Sequence, residues 1–297
     1  VRKTGGQMTD FKQKYEEYRA HFEDYLVQAC DSMAFQPPVL TESMRYSLLS
    51  GGKRVRPVLF FAALEAFGLN YRGEERLAFA LECIHTYSLI HDDLPAMDDD
   101  DMRRGRPSNH KVFGEANAIL AGDALLSYAF DLLLAESGRS EKHLAAARTL
   151  SKAAGAEGMV AGQSADLLYT GKNGGEEELA FIYRNKTGRL MAAPVAMAAD
   201  LAGKNRAEAE AFGLALGALF QLTDDILDEV GESSALGKTT GKDAAEDKLT
   251  AVKIFGLEGA RQRAAQCAAR CRELLGTMDA DRSFLGDLVD RVLMRDH

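Results

Sequence analysis

The sequence predicts an all-α protein, and three observations carry that reading. Apolar residues recur at helical spacing along almost the whole chain of 297 residues, as in "EERLAFALECIHTYSLI", "ANAILAGDALLSYAFDLLLAE" and "EAEAFGLALGALFQLTDDILDEV". No stretch alternates apolar and polar residues as a half-buried strand must. The breaks between periodic segments are short and rich in Gly, Pro, Ser or Asn, residues that end helices.

Taken in order, the helices are separated at "FQPPVL", "GGKRVRP", "RRGRPSNH", "SGRSEK", "TGKNGGEEE", "AGKNRAE" and "GESSALGKTTGKDA". None of these is long enough to serve as an interdomain linker, and no internal repeat is evident. One domain over residues 8–297 is expected, a bundle of about ten or more helices with several central ones apolar most of the way round. The opening "VRKTGGQ" before Met8 reads as an expression remnant.

Composition narrows the function classes. With 46% hydrophobic and 27% charged residues the chain is an ordinary globular sequence with a large core. A formal charge of −9 argues against a general binder of nucleic acid or anionic membrane, although local basic clusters can still hold anions. No uninterrupted apolar run reaches the roughly 18 residues of a membrane span. Cys30, Cys83, Cys267 and Cys271 contain no CxxC pair, so free thiols and a cytoplasmic setting are expected.

The chemistry lies in two acidic clusters. "HDDLPAMDDDDMRRG", residues 91–105, holds six aspartates in the ten positions from Asp92 to Asp101. Two carboxylates about 4 Å apart repel by roughly 1 kcal/mol in water and about 4 kcal/mol at an effective dielectric near 20, so a cation must offset them. Asp98 stands six residues after Asp92, about 120° away on an ideal helix. Pro95 disfavours helix at Leu94, so the helix should loosen near Asp93 and a loop should carry Asp98 back towards Asp92. The second cluster, "QLTDDILDE", sets Gln221, Asp224, Asp225 and Asp228 at i, i+3, i+4 and i+7 on one helix face. That face continues backwards through Gly217, Leu214 and Gly213, turning from acidic to small and apolar.

A solvated helix end would explain either cluster alone. A calcium loop beginning at Asp98 fails, because Met102 and Arg103 stand where oxygen ligands and a glycine are needed. The cationic runs favour a shared magnesium and diphosphate site, since hard cations take carboxylate and phosphate oxygens together. Those runs supply Lys53, Arg54 and Arg56; Arg103, Arg104 and Arg106; Lys186; and Lys238, Lys242 and Lys248. Gly237-Lys238-Thr239 resembles the end of a P-loop, but the spacing from Gly231 is wrong and the run follows a helix instead of a strand.

"GGKRVRP", "HTYSLIHDDLPAMDDDDMRRGRPSNH", "GQSADL", "NKTG" and "FQLTDDILD" stand in the order and spacing of the trans-isoprenyl diphosphate synthases, which the chain resembles from about Phe11 to Arg295, most of all the bacterial farnesyl diphosphate synthases. The resemblance implies the isoprenoid synthase fold, helices around a central cavity, and condensation of isopentenyl diphosphate with dimethylallyl and then geranyl diphosphate. It implies Asp92, Asp98 and Asp224 as ligands of about three Mg2+ ions, hard cations suited to carboxylates, with Asp93, Asp225 and Asp228 in support. Lys53, Arg56, His85 and Arg104 match the isopentenyl diphosphate site; Arg103, Lys186, Lys238 and Lys248 match the allylic diphosphate site. Lys186, Thr187 and Gln221 match residues that face the developing allylic cation. A homodimer is implied, with no nucleic-acid partner and no stable membrane association.

Product length is read from Tyr87, five residues before the first Asp-rich motif, and its neighbour Ser88. In the family this position often floors the cavity, and a tyrosine there, with the longer DDxxxxD motif, resembles the farnesyl producers. The alternatives are a geranylgeranyl diphosphate synthase and a non-catalytic subunit of a heteromeric prenyltransferase. The chain end, "LVDRVLMRDH", is less basic than family tails, leaving Arg295 as the residue that stands in for them.

Overall fold

The computed structural model describes residues 4–230 and 248–296, with side chains from 10 to 230 and from 248 to 295. The elements run α1 (Thr4–Asp31), α2 (Pro38–Leu48), α3 (Val55–Ala66), α4 (Glu75–Asp92), β1 (Met102–Arg103), β2 (Arg106–Pro107), α5 (Asn109–Phe113), α6 (Glu115–Ser137), α7 (Glu141–Ala154), α8 (Met159–Tyr169) and α9 (Glu176–Ile182). A π-helical turn, Tyr183–Gly188, leads into α10 (Arg189–Ala202); α11 (Arg206–Val230), α12 (Ala251–Thr277) and α13 (Ser283–Leu293) follow, with a closing 3-10 turn at Met294–Asp296.

Helix boundaries follow local chemistry. Pro38 opens α2 at a position where its missing N–H costs nothing. Ser140 and Thr250 accept hydrogen bonds from His143 N and Lys253 N, capping α7 and α12. Gly203 ends α10 at φ +70°, a conformation that glycine adopts without a steric penalty. Gly256 breaks α12 near its start at the same φ.

Apolar helices form the centre, as their sequences require. α10 is buried at every position from Leu190 to Ala199 and packs against α3, α7 and α11. α3 is buried from Pro57 to Leu64, and α4 from Leu77 to Ile84. Phe22, Phe60, Phe61, Phe79 and Phe212 are fully enclosed. α6 is long and apolar enough to cross a membrane by length and composition; here it packs along α4, α7 and α2. Its outer side leaves Ile119, Leu120 and Leu134 exposed. All four cysteines are free thiols.

One feature departs from the expected all-helical pattern. β1 and β2 pair antiparallel, Met102 with Pro107 and Arg103 with Arg106. Two residues per strand are too few for an alternating pattern to register in sequence. The connecting Arg104 and Gly105 both have positive φ, 55° and 75°, as tight two-residue hairpin turns demand.

Candidate active site

α4 stops at Asp92, and the chain then turns back on itself. The Asp98 N–H donates to the Asp92 carbonyl at 2.8 Å, and Asp100 N–H to the Asp93 carbonyl at 3.1 Å. This is the loop that Pro95 was expected to produce. It sets Asp92 and Asp98 on one wall of a cavity of about 190 Å3, with Asp224 from α11 and Lys186, Thr187 and Gln221 also among its lining residues.

Close helix packing places the α11 face. A Cβ on Gly217 would strike the Gly188 Cα, and one on Gly213 the Ala192 Cα. The small residues noted behind the second cluster therefore let α11 lie directly on the π turn and α10. At that crossing the Thr187 hydroxyl donates to Gln221 Oε1 at 2.9 Å, and Gln221 Nε2 donates to Asp225 Oδ1 at 3.1 Å. A π turn widens the helix and is common at functional sites. Here it carries Lys186 and Thr187, while Gly162 of α8 packs against the Lys186 backbone.

Several of the acidic groups have a basic companion. Lys186 Nζ lies 2.5 Å from Asp166 Oδ2, Lys248 Nζ 3.2 Å from Asp98 Oδ2, and Arg295 Nη2 3.1 Å from Asp224 Oδ1. Arg103 pairs with Asp93 and, at 3.2 Å, with Asp100. Burial pushes the Asp92 carboxyl up to about 6; Lys186 opposes the shift and Asp98 adds to it. Carboxylates in this cavity would gain from a further cation.

Not every aspartate in the clusters faces the cavity freely. Asp225 is buried and accepts from the Tyr183 hydroxyl and from the Ala251 N–H at 2.7 Å, tying α11 to the π turn and α12. Asp93 is buried against Arg103. Asp228 follows on the same α11 face and is also buried.

About two turns before Asp92 on α4, His85 feels the charges of Arg56 and Arg104. Burial, then Arg56 and Arg104, hold the His85 imidazole well below its ordinary value, so it stays neutral. Burial also pulls the Arg56 guanidinium down to about 10. Arg104 donates to the Gly51 carbonyl at 2.6 Å and packs over Gly52, where a Cβ would collide with its guanidinium. Lys53 is exposed and lies near Asp224 and Arg295. Arg54, grouped with these cations by sequence, turns inward instead: it bonds Glu23 at 2.7 Å, Glu82 at 2.6 Å and the Leu48 carbonyl at 2.7 Å.

With this geometry in view, similarity is decisive. The polyprenyl synthetase family profile matches residues 37–283. The chain belongs to that family. It is a prenyltransferase, and its relatives span two product names. The farnesyl diphosphate synthase of Geobacillus stearothermophilus is 43% identical over 267 residues, covering 88% of this chain and 90% of that one. The chloroplastic geranylgeranyl pyrophosphate synthase of Capsicum annuum is 45% identical over 269 residues, 88% and 73% of the two chains. Among solved structures, a geranyltransferase from Legionella pneumophila superposes with a TM-score of 0.83 at 32% identity, covering 97% of this chain and 98% of that one. One from Helicobacter pylori, complexed with magnesium and isoprenyl diphosphate, gives 0.80 at 30% identity over 100% and 98%.

Within this prenyltransferase, Tyr87 and Ser88 do not line the cavity that holds Asp92. Tyr87 is buried, its ring edge-on to His91 at 5.8 Å, and among the described residues its hydroxyl has no hydrogen-bond partner. Ser88 donates to the His85 carbonyl at 2.9 Å. Lys238 and Lys242 lie outside the described residues. Two residues escaped the sequence reading. Asp166 sat within the "GQSADL" landmark without a role, and its signal was a lone carboxylate on an apolar helix. Tyr183 had no signal beyond its place beside "NKTG".

Proposed function

We propose that the chain is a magnesium-dependent farnesyl diphosphate synthase. The observation that carries this reading is that Asp92, Asp98 and Asp224 line one cavity together with Lys186 and Lys248, while a second cationic group, Arg56 and Arg104 with His85, stands about two turns back along α4. A site of that form can hold two diphosphates at once.

The donor set fits magnesium: hard carboxylate oxygens gather in one place, and the Asp92 carboxyl is pushed up by burial where more positive charge would lower it. Asp92, Asp98 and Asp224 would hold the ions. When bound, magnesium neutralises charge building on a leaving diphosphate. Lys186, Lys248 and Arg103, with Lys238, bind the allylic diphosphate, whose C–O bond breaks with the electron pair leaving on diphosphate. Lys53, Arg56 and Arg104 hold isopentenyl diphosphate, and neutral His85 offers an N–H there without adding charge.

Thr187 Oγ1 and Gln221 Oε1 present oxygens towards the developing allylic cation, a dipolar stabilisation that needs no reorganisation during reaction. The double bond of isopentenyl diphosphate attacks the allylic carbon, and the proton then lost goes to the released diphosphate. Such a cation must meet its partner before water, so the lysines and arginines also align the two substrates.

A tyrosine at position 87, as in the farnesyl producers the chain resembles, supports a C15 product although its ring stands outside the cavity that holds Asp92, while the similarity to geranylgeranyl synthases supports C20 as the second reading. The exposed Ile119, Leu120 and Leu134 on α6 support a homodimer. The test is incubation with labelled isopentenyl and dimethylallyl diphosphates, with products sized by chromatography. Asp92→Ala and Asp224→Ala should each lower turnover at least about a hundredfold, as loss of a preorganised electrostatic group does. Near-normal turnover in either variant refutes the shared-site reading, and a C20 product in the parent refutes the C15 assignment.

A further inference from the structure

The run Asp98-Asp99-Asp100-Asp101 is longer than the diphosphate site uses. Asp98 and Asp100 line the cavity that holds Asp92 and Asp224, whereas Asp99 and Asp101 do not and are exposed. Asp99 has a φ of 48°, a turn that sends consecutive side chains to different sides of the loop. On the outer side, Asp99 and Asp101 meet His110 of α5. One ligand atom from each of these three residues lies within 4.8 Å of the other two.

His110 is what sets this group apart from an ordinary acidic loop. It is 6% exposed, and among the described residues neither of its ring nitrogens has a hydrogen-bond partner. A buried imidazole carries one donor and one acceptor when neutral, and leaving both unmet is costly. The other triplet at similar spacing, Glu74, Glu136 and His143, is already satisfied: Arg139 bridges both glutamates, and His143 bonds Ser140 and Glu74. In the Asp99 group, Lys111 Nζ sits 2.7 Å from one Asp101 oxygen and its charge also acts on Asp99; this lysine is exposed and can swing away when an ion binds.

We propose that His110, Asp99 and Asp101 form a second divalent-cation site, separate from the diphosphate cavity and selective for a borderline ion of the zinc class. An imidazole nitrogen with two carboxylates suits such ions better than magnesium, which prefers oxygen alone. Ligands at about 2.0–2.2 Å from zinc stand closer together than the 4.8 Å limit met here, so the two exposed aspartates would draw in on binding. The bound ion ties the outer edge of the loop to α5, and so holds the segment that presents Asp98 on its inner edge. Ser108 already braces the same loop, its N–H donating to the Asp101 carbonyl at 2.9 Å and its hydroxyl to the Asp100 carbonyl.

The test uses the full chain without substrate, in excess Mg2+, titrated with Co2+ as a coloured stand-in for zinc. The expected result is one equivalent bound with visible d–d absorption, displaced by Zn2+, and a melting temperature raised by Zn2+. His110→Ala, Asp99→Asn and Asp101→Asn should each weaken Co2+ at least about tenfold, while Asp92→Asn keeps it. If His110→Ala does not fold, the two exposed aspartates still decide the matter. Co2+ bound equally well by Asp99→Asn and Asp101→Asn, or lost in Asp92→Asn, or failing to bind in excess Mg2+, would overturn the proposal.

Discussion

Neighbouring residues with the same charge do opposite things in this protein. Arg54 and Arg56 are two positions apart, yet Arg54 is enclosed with Glu82 while Arg56 turns towards His85 and Arg104. Arg54 adopts φ 49° at the start of α3, which turns its side chain inward onto Glu23 and Glu82. Removing it takes from the buried Glu82 carboxylate its hydrogen-bonded partner and leaves only the more distant charges of Arg56 and Arg104, so Arg54→Ala should cost about 3–5 kcal/mol in urea unfolding. A cost under about 1 kcal/mol would mean that Arg56 and Arg104 already hold Glu82. Tyr87 tests product length at the same scale. Tyr87→Ala removes a ring whose hydroxyl has no hydrogen-bond partner among the described residues, and products should lengthen from C15 towards C20. The stability loss should stay below the roughly 3–5 kcal/mol of an aromatic truncated in a packed core. Unchanged C15 output, or an unfolded variant, would make Tyr87 a core aromatic and leave chain length to other residues.

At the scale of elements, the site is built where helices approach more closely than ordinary side chains permit. Gly217 of α11 faces Gly188 at the end of the π turn, with the Met191 Cβ beside it. Thr187 and Gln221 meet because that contact is backbone on backbone. Gly217→Ala should therefore push the helices apart, costing about 1–3 kcal/mol as overpacking does. It should lower kcat, because the Thr187–Gln221 contact opens, and raise KM for the allylic substrate more than for isopentenyl diphosphate, because Lys186 rides on the same π turn. Stability and kcat both near the parent values would show that the crossing adjusts without strain. The glycines of α11 were visible in sequence as a small-residue stripe, but what filled the gap was not. A stripe specifies a close approach without naming the partner.

For the whole molecule, the unfinished surface is the outer side of α6. Leu134 is 72% exposed and Leu120 55%, on a helix apolar enough to seek cover. In a homodimer these leucines would be buried, and placing glutamate at both, Leu120→Glu with Leu134→Glu, should convert a species of about twice 32.3 kDa to the monomer mass in sedimentation. A parent protein that sediments as a monomer with full turnover would end the dimer reading. The sequence by itself determined the helical architecture, because 3.6-residue periodicity and helix-breaking residues are local properties of the chain. It also determined both Asp-rich faces, since i, i+3, i+4 and i+7 share a helix side whatever surrounds them. Tertiary structure alone decided which charges work and which hold the fold. Asp224 and Asp225 are adjacent, but Asp225 is tied down by Tyr183 and the Ala251 N–H. Lys248 reaches Asp98 and Arg295 reaches Asp224 across long stretches of chain. Such pairings depend on where distant helices pack, and a charge in a sequence carries no record of the partner that will neutralise it.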